Sequence, residues 1–192
     1  LLAEYKKEII SKYSNDNELY QKSFEFLADY TDPETPNIII RKAVLCSSHA
    51  DKNNIDVSDL AQLISLQNDT NAWHLPPATE ALASLLKNHP RFKGPVLTTN
   101  FDPLLSIALE KINYEPNRTV LHGDGSLEQL QSTRINIVHM HGFWVSTDTM
   151  HTQSQLKLKR PKLKSSLSRV LKNKTLLVLG YGGWDDIFMQ TL

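Results

Sequence analysis

Residues 95–102 read Pro95-Val96-Leu97-Thr98-Thr99-Asn100-Phe101-Asp102, an apolar run that ends abruptly in two hydroxyls, an amide and an acid. The run PVLTT has the length and composition of a buried strand. Burying such polar groups without partners costs about 1–3 kcal/mol each, so packing alone does not call for them. Two later stretches have the same form: INIVHMH (135–141), followed by Gly142, and TLLVLG (175–180), followed by Tyr181-Gly182-Gly183-Trp184-Asp185-Asp186. Helical patterns separate them. Leu105, Ala108, Leu109 and Ile112 share a face in PLLSIALEKI, as do Leu163, Leu167, Val170 and Leu171 in RPKLKSSLSRVLKN, where Pro161 suits a first turn. Apolar runs alternating with helices predict a Rossmann-like α/β domain of three layers with a parallel sheet. In such sheets ligands bind beyond the carboxyl ends of the strands, and there all three runs turn polar or glycine-rich.

The rest of the chain reads differently. All seven glycines lie at or beyond Gly94, so the first half is poorly equipped for tight phosphate-binding turns. Residues 1–93 read as a mainly helical part of the domain or a subdomain, and 94–192 as the Rossmann-like part. Leu2, Tyr5, Ile9, Ile10 and Tyr13 predict one helix and Leu19, Phe24, Phe26 and Leu27 a second, ending at TDPETPN. IIIRKAVLCSSHA fits strand or helix, while 57–66 and 78–86 read as helices. His49, His74 and His89 share no spacing and are expected on the surface. Both ends break off in helical pattern, and the chain reads as part of a longer one.

Composition narrows the classes. With 192 residues, 40% hydrophobic and 22% charged, the chain suits a globular domain with a real core. Lys plus Arg and Asp plus Glu both number 21, so no global field points to nucleic acid; only Lys157 to Lys174 is locally basic, and its charges read as a solvated helix face. Cys46 stands alone, which rules out an intrachain disulfide or a four-cysteine zinc module and suits a reducing cytoplasm. No apolar run has the length of a membrane span.

TTNFD, an apolar strand ending in HMHG, and LVLGYGGWDD, in that order, resemble the later motifs of the sirtuin-like fold, in particular its bacterial antiphage-defence branch. The resemblance covers roughly residues 94 to 188. It implies hydrolysis of NAD to ADP-ribose and nicotinamide, with NAD as substrate and no metal. It also implies a homo-oligomer, and a nucleic-acid-translocating ATPase or a phage component as partner or trigger. The chain departs from the family pattern in two ways. No glycine-rich strand-turn-helix precedes Gly94, and the zinc module of the protein-deacylating sirtuins is absent, which favours cleavage of NAD itself over lysine deacylation.

Carried over by motif, Asn100 would orient the nicotinamide ribose and the attacking water, and His141 would be the general base. An imidazole suits this because it ordinarily titrates near neutrality. His139, two residues earlier and so on the same strand face, is expected to support the structure. Thr98, Thr99, Phe101, Asp102, Gly180, Tyr181, Gly182, Gly183, Trp184 and Asp185 would bind the ligand. Several have a second reading. Asp102 before Pro103 also has the signature of a helix cap, Asp185 or Asp186 of another, and Phe101 and Trp184 serve equally as packing. His122-Gly123-Asp124-Gly125 reads as a turn, and His151 falls in a loop expected to be mobile.

Two other functions compete. The HxH pair His139/His141, completed by His122, Asp124, His151, Asp185 or Asp186, would make a metal-dependent hydrolase. A catalytically silent domain that binds a nucleotide or mediates assembly is the third reading.

Overall fold

The computed structural model describes residues 7, 11–12, 16–92, 94–130, 133–146, 149–183 and 186–192. Leu2, Tyr5, Ile9, Ile10 and Tyr13, which carry the first expected helix, lie outside them.

Four helices occupy the described part of the first half: α1 (Asp16–Tyr30), α2 (Thr35–Leu45), α3 (Leu60–Asn68) and α4 (Pro77–Asn88). The break between α1 and α2 is built by Asp32, whose Oδ1 accepts from the amides of Glu34 and Thr35. The ambiguous IIIRKAVLCSSHA is helical through Leu45, because Ile40, Arg41, Val44 and Leu45 together form one buried helical face. Asp59 caps α3 by accepting from the amides of Ala61 and Gln62.

In the second half β1 (Val96–Thr98), β2 (Asn117–Val120) and β3 (Asn136–His139) form a parallel sheet in the order β1-β3-β2. Helix α5 (Leu104–Lys111) connects β1 to β2, and α6 (Gln153–Leu156) and α7 (Pro161–Leu171) follow β3. Successive residues of β3 face opposite ways. Ile137 packs with Ala108 and Leu109 of α5 and Leu86 of α4, while Val138 packs with Leu163 and Leu167 of α7. Ile137 is 1% exposed and Val138 0%, so helices cover both faces, as the α/β Rossmann-like expectation requires. A further cluster joins the halves: Phe24, Ile40, Leu45, Leu63 and Trp73 pack with Ile107, Phe143 and Trp144. Trp73 and Trp144 meet edge to face, 5.5 Å between centroids, and the Trp144 indole N–H donates to Gln67 Oε1 at 2.9 Å.

The third expected strand is the main correction. Residues 172–180 form no strand, and Leu176, Leu177, Val178 and Leu179 are 40%, 55%, 52% and 62% exposed. An apolar run becomes a strand only where a neighbour takes its N–H and C=O groups, and none of the three described strands pairs with it. INIVHMH is also shorter than expected. Its strand ends at His139, and Met140 and His141 lie in a turn.

Arg41 clamps the join between the halves. Only 1% exposed, it donates to the carbonyls of Trp144 (3.3 Å), Val57 (3.2 Å) and Ser146 (3.5 Å), and pairs with Glu34 at 2.5 Å. Arg41→Met strips these acceptors of their donor and is expected to cost roughly 3 kcal/mol or more. Urea denaturation checks this, and an unchanged midpoint would refute the clamp.

Candidate functional site

The loops beyond β1 and β3 are tied together through their backbones. The Met140 amide donates to Thr98 O at 2.8 Å, and the Trp144 amide to Phe101 O at 3.0 Å. The His141 carbonyl accepts from the Met150 amide at 2.8 Å. Gly142 allows the chain to turn after His141, since its φ of +99° is strained for any residue with a Cβ.

These loops border a cavity of about 450 Å³ lined by Thr99, Asn100, Phe101, Asp102, His141, Gly180 and Gly182. Parts of all three sequence motifs therefore meet at one place, although 175–180 is not a strand. Helices α1 and α2 supply a wall the motifs do not contain: Tyr20, Ile40, Ala43, Val44 and, just beyond α2, Ser47, with Met150 closing the rim. Thr98, Tyr181 and Gly183 are not among the lining residues. Thr98 Oγ1 accepts from the Asn100 amide at 3.1 Å, and Tyr181 packs edge-on against Phe188. Trp184 and Asp185 lie outside the described residues.

Asn100 is exposed, at the mouth. Asp102 acts as the cap its sequence suggested, its Oδ1 accepting from the Leu104 amide at 3.0 Å, while still lining the cavity. Burial pushes its carboxyl above the ordinary value, opposed by the Leu104 amide and the Asn100 side chain.

His141 is 4% exposed, and its Nε2 lies 2.8 Å from Oδ2 of Asp186, itself 1% exposed. The other Asp186 oxygen accepts from the amides of Phe188 (2.9 Å) and Met189 (3.1 Å), which fixes the carboxylate. Burial works against its ionisation, but the His141 hydrogen bond and the Met189 amide outweigh that and hold the carboxyl below its ordinary value. An ionised carboxylate only accepts, so His141 Nε2 donates to it, and in the neutral imidazole Nδ1 is the atom that holds the lone pair. Sequence pattern could not choose this aspartate over Asp185.

His139 does not share a site with His141. Its Nδ1 lies 2.9 Å from the Asn100 carbonyl and its ring 4.6 Å from that of Phe143. Burial lowers its pKa to about 4. Neutral, it donates from Nδ1 to the carbonyl and thereby pins the backbone of Asn100. His151 is 1% exposed, contrary to the expected mobile loop, and stacks on Phe24 at 4.1 Å. Asp124 accepts from the amides of Lys162 and Leu163 and so caps α7. Asp124 and His151 of the metal reading are thus engaged elsewhere, and no group of three or more His, Cys, Asp or Glu is arranged to hold a metal among the described residues. His49 and His74 are exposed, as expected, with ring centroids 3.6 Å apart.

A family model, the SIR2-like domain, matches residues 95–192, just over half of the chain. The chain belongs to the SIR2-like domain family. No curated protein matches it.

SIR2-like domains are NAD-related, so NAD is the ligand to test against the cavity. Its nicotinamide-ribose end suits the lining: an exposed amide at Asn100, an imidazole held by a buried carboxylate, and an apolar wall of Ile40 and Val44 for a flat ring. Gly180, at φ +62°, adopts a turn that brings backbone to the cavity. The pyrophosphate finds no glycine-rich turn in residues 1–93, which contain no glycine.

Proposed function

We propose that this SIR2-like domain is an NAD glycohydrolase, cleaving NAD to ADP-ribose and nicotinamide. The observation that carries the reading is the meeting of Asn100 with the His141–Asp186 pair at one cavity beyond the carboxyl ends of β1 and β3.

Breaking the bond between nicotinamide and ribose leaves a sugar with cation-like character at the transition state. The chain supplies what that step needs. Asn100, its backbone pinned by His139, positions the ribose and the incoming water through its amide. His141 accepts a proton at Nδ1, and Asp186 stabilises the imidazolium that results. The apolar wall of α2 receives the departing ring and excludes bulk water from it.

Asp186→Asn tests the pairing cleanly. It keeps an oxygen for the amides of Phe188 and Met189 but sets an N–H₂ opposite His141 Nε2. The imidazole must then move its proton to Nδ1, where the base is needed. Nicotinamide release is expected to fall on the order of 10²-fold or more, with an intact fold. Unchanged release would remove Asp186 from the mechanism.

The resemblance to the bacterial antiphage-defence branch supports a cytoplasmic, oligomeric enzyme triggered by a phage component or a nucleic-acid-translocating ATPase. No helix among the described residues is long and apolar enough to cross a membrane. The test is nicotinamide release from NAD by the complete parent protein, with and without its partner and with and without a chelator. Release that survives chelation supports the reading. No release under any condition overturns it, and release abolished by the chelator and restored by metal favours the metal-dependent hydrolase.

A further inference from the structure

A line of hydrogen bonds, buried at its centre and half-buried at its ends, leads from the start of α2 to the cavity wall, and its polarity can be read atom by atom. Asn37 Nδ2 donates to Glu34 Oε2 at 3.1 Å. The Asn37 amide oxygen, which only accepts, takes the hydroxyl proton of Thr149 at 2.6 Å. Thr149 Oγ1 lies 2.7 Å from His151 Nε2; its own proton is engaged, so it accepts and His151 carries its proton on Nε2. His151 Nδ1 is then a lone pair, and it receives the Tyr20 hydroxyl at 2.7 Å. Every donor points the same way, toward the Glu34 carboxylate.

This polarity depends on a neutral His151. Burial, and secondly the nearby His141, lower its pKa to about 3, and the stacked Phe24 ring adds no polar group. Were the imidazole charged, Nδ1 would donate to Tyr20 and the phenol would turn its own proton elsewhere. Tyr20 lines the cavity together with Asn100 and Asp102.

We propose that Tyr20 is a specificity-determining residue: His151 holds its hydroxyl so that it meets the ligand as a hydrogen-bond acceptor, and the ligand group against it is therefore a donor, an amide N–H or a sugar O–H. This rests on the reading that the cavity takes the nicotinamide-ribose end of NAD, which carries donors of both kinds. His151 is the positioning residue, acting through Tyr20 without touching the ligand.

Two measurements test it on the complete protein. Long-range nitrogen-proton spectra read the histidine tautomer directly, and His151 is expected to show N–H at Nε2 and a pyridine-type Nδ1 from pH 5 to pH 8. Tyr20→Phe, which keeps the ring against Phe24, is expected to raise KM for NAD roughly five- to tenfold with kcat nearly unchanged. A Tyr20→Phe enzyme with wild-type KM, or a His151 that is protonated at Nδ1 or doubly protonated in that range, overturns the inference. A wild-type protein that neither binds nor cleaves NAD counts against the reading of the cavity, and the spectrum then decides the inference alone.

Discussion

Asn100→Ala and His141→Gln are each expected to lower nicotinamide release at least a hundredfold while leaving a folded protein. The magnitude follows from what each side chain supplies. General-base assistance by a positioned group contributes about 10²–10⁴ in rate, and losing the amide that aligns ribose and water forfeits comparable positioning. The two substitutions differ in risk to the fold. Asn100 is exposed, so its truncation should move stability by about 0.5 kcal/mol at most. His141 is buried against Asp186, and alanine there would strand a carboxylate 1% exposed. Glutamine instead offers Asp186 an amide N–H and removes the base. Turnover measured beside thermal melts separates chemistry from folding. A folded variant of either kind that keeps wild-type turnover would dismiss that residue from catalysis.

Acid should destabilise this protein earlier and more steeply than its carboxylates alone would cause. His139 and His151 are 2% and 1% exposed, and burial lowers their pKa values from 6.5 to about 4 and about 3. A group whose folded pKa is depressed in this way disfavours protonation in the native state more than in the unfolded chain. For a histidine, the stability this provides is complete above 6.5 and is lost as pH falls toward the folded values. The window is thus from about pH 6.5 down to about 3–4. Each histidine contributes a slope approaching about 1.4 kcal/mol per pH unit within it. Together they predict a loss of roughly 3–4 kcal/mol between pH 7 and pH 5, a large share of the about 5–15 kcal/mol that holds a domain together. Asp186, with its lowered pKa, resists until far more acid conditions. Chemical denaturation at pH 7 and pH 5 measures the loss directly. A stability that stays level over that interval would mean that the two imidazoles are not buried neutral.

Local chemistry accounts for what was legible in the sequence. Strands β1 and β3 could be read because their central residues Val96, Leu97, Ile137 and Val138 are apolar, as a sheet between helical layers requires, and the polar residues after Leu97 marked where β1 ends. Pro161 at the start of α7 and Asp102 at the start of α5 are signals a few residues long, and both act as read. TLLVLG misled for the converse reason. Its composition has the propensity of a strand, but pairing belongs to a neighbour and no local pattern encodes one. The candidate site was legible in the same proportion. Asn100 and His141 stand at the ends of readable strands, and the structure brings them to one cavity. The sequence marks Asp186 only as a cap or metal-ligand candidate, His151 only as a metal-ligand candidate in a mobile loop, and Tyr20 not at all, because the roles they take are set by residues 45 to 131 positions away. A histidine in DTMHTQSQL has the surroundings of a surface loop until Phe24, Tyr20 and Thr149 close over it.

The most direct test of the account is the fate of NAD in water enriched in oxygen-18, with the complete parent protein, with and without the proposed partner, and mass detection of the products. Cleavage at this cavity by an activated water predicts nicotinamide and ADP-ribose in equal amounts, with one heavy oxygen in each ADP-ribose and neither effect in the Asn100→Ala protein. NAD recovered intact, or nicotinamide released with no label in the sugar, would contradict it.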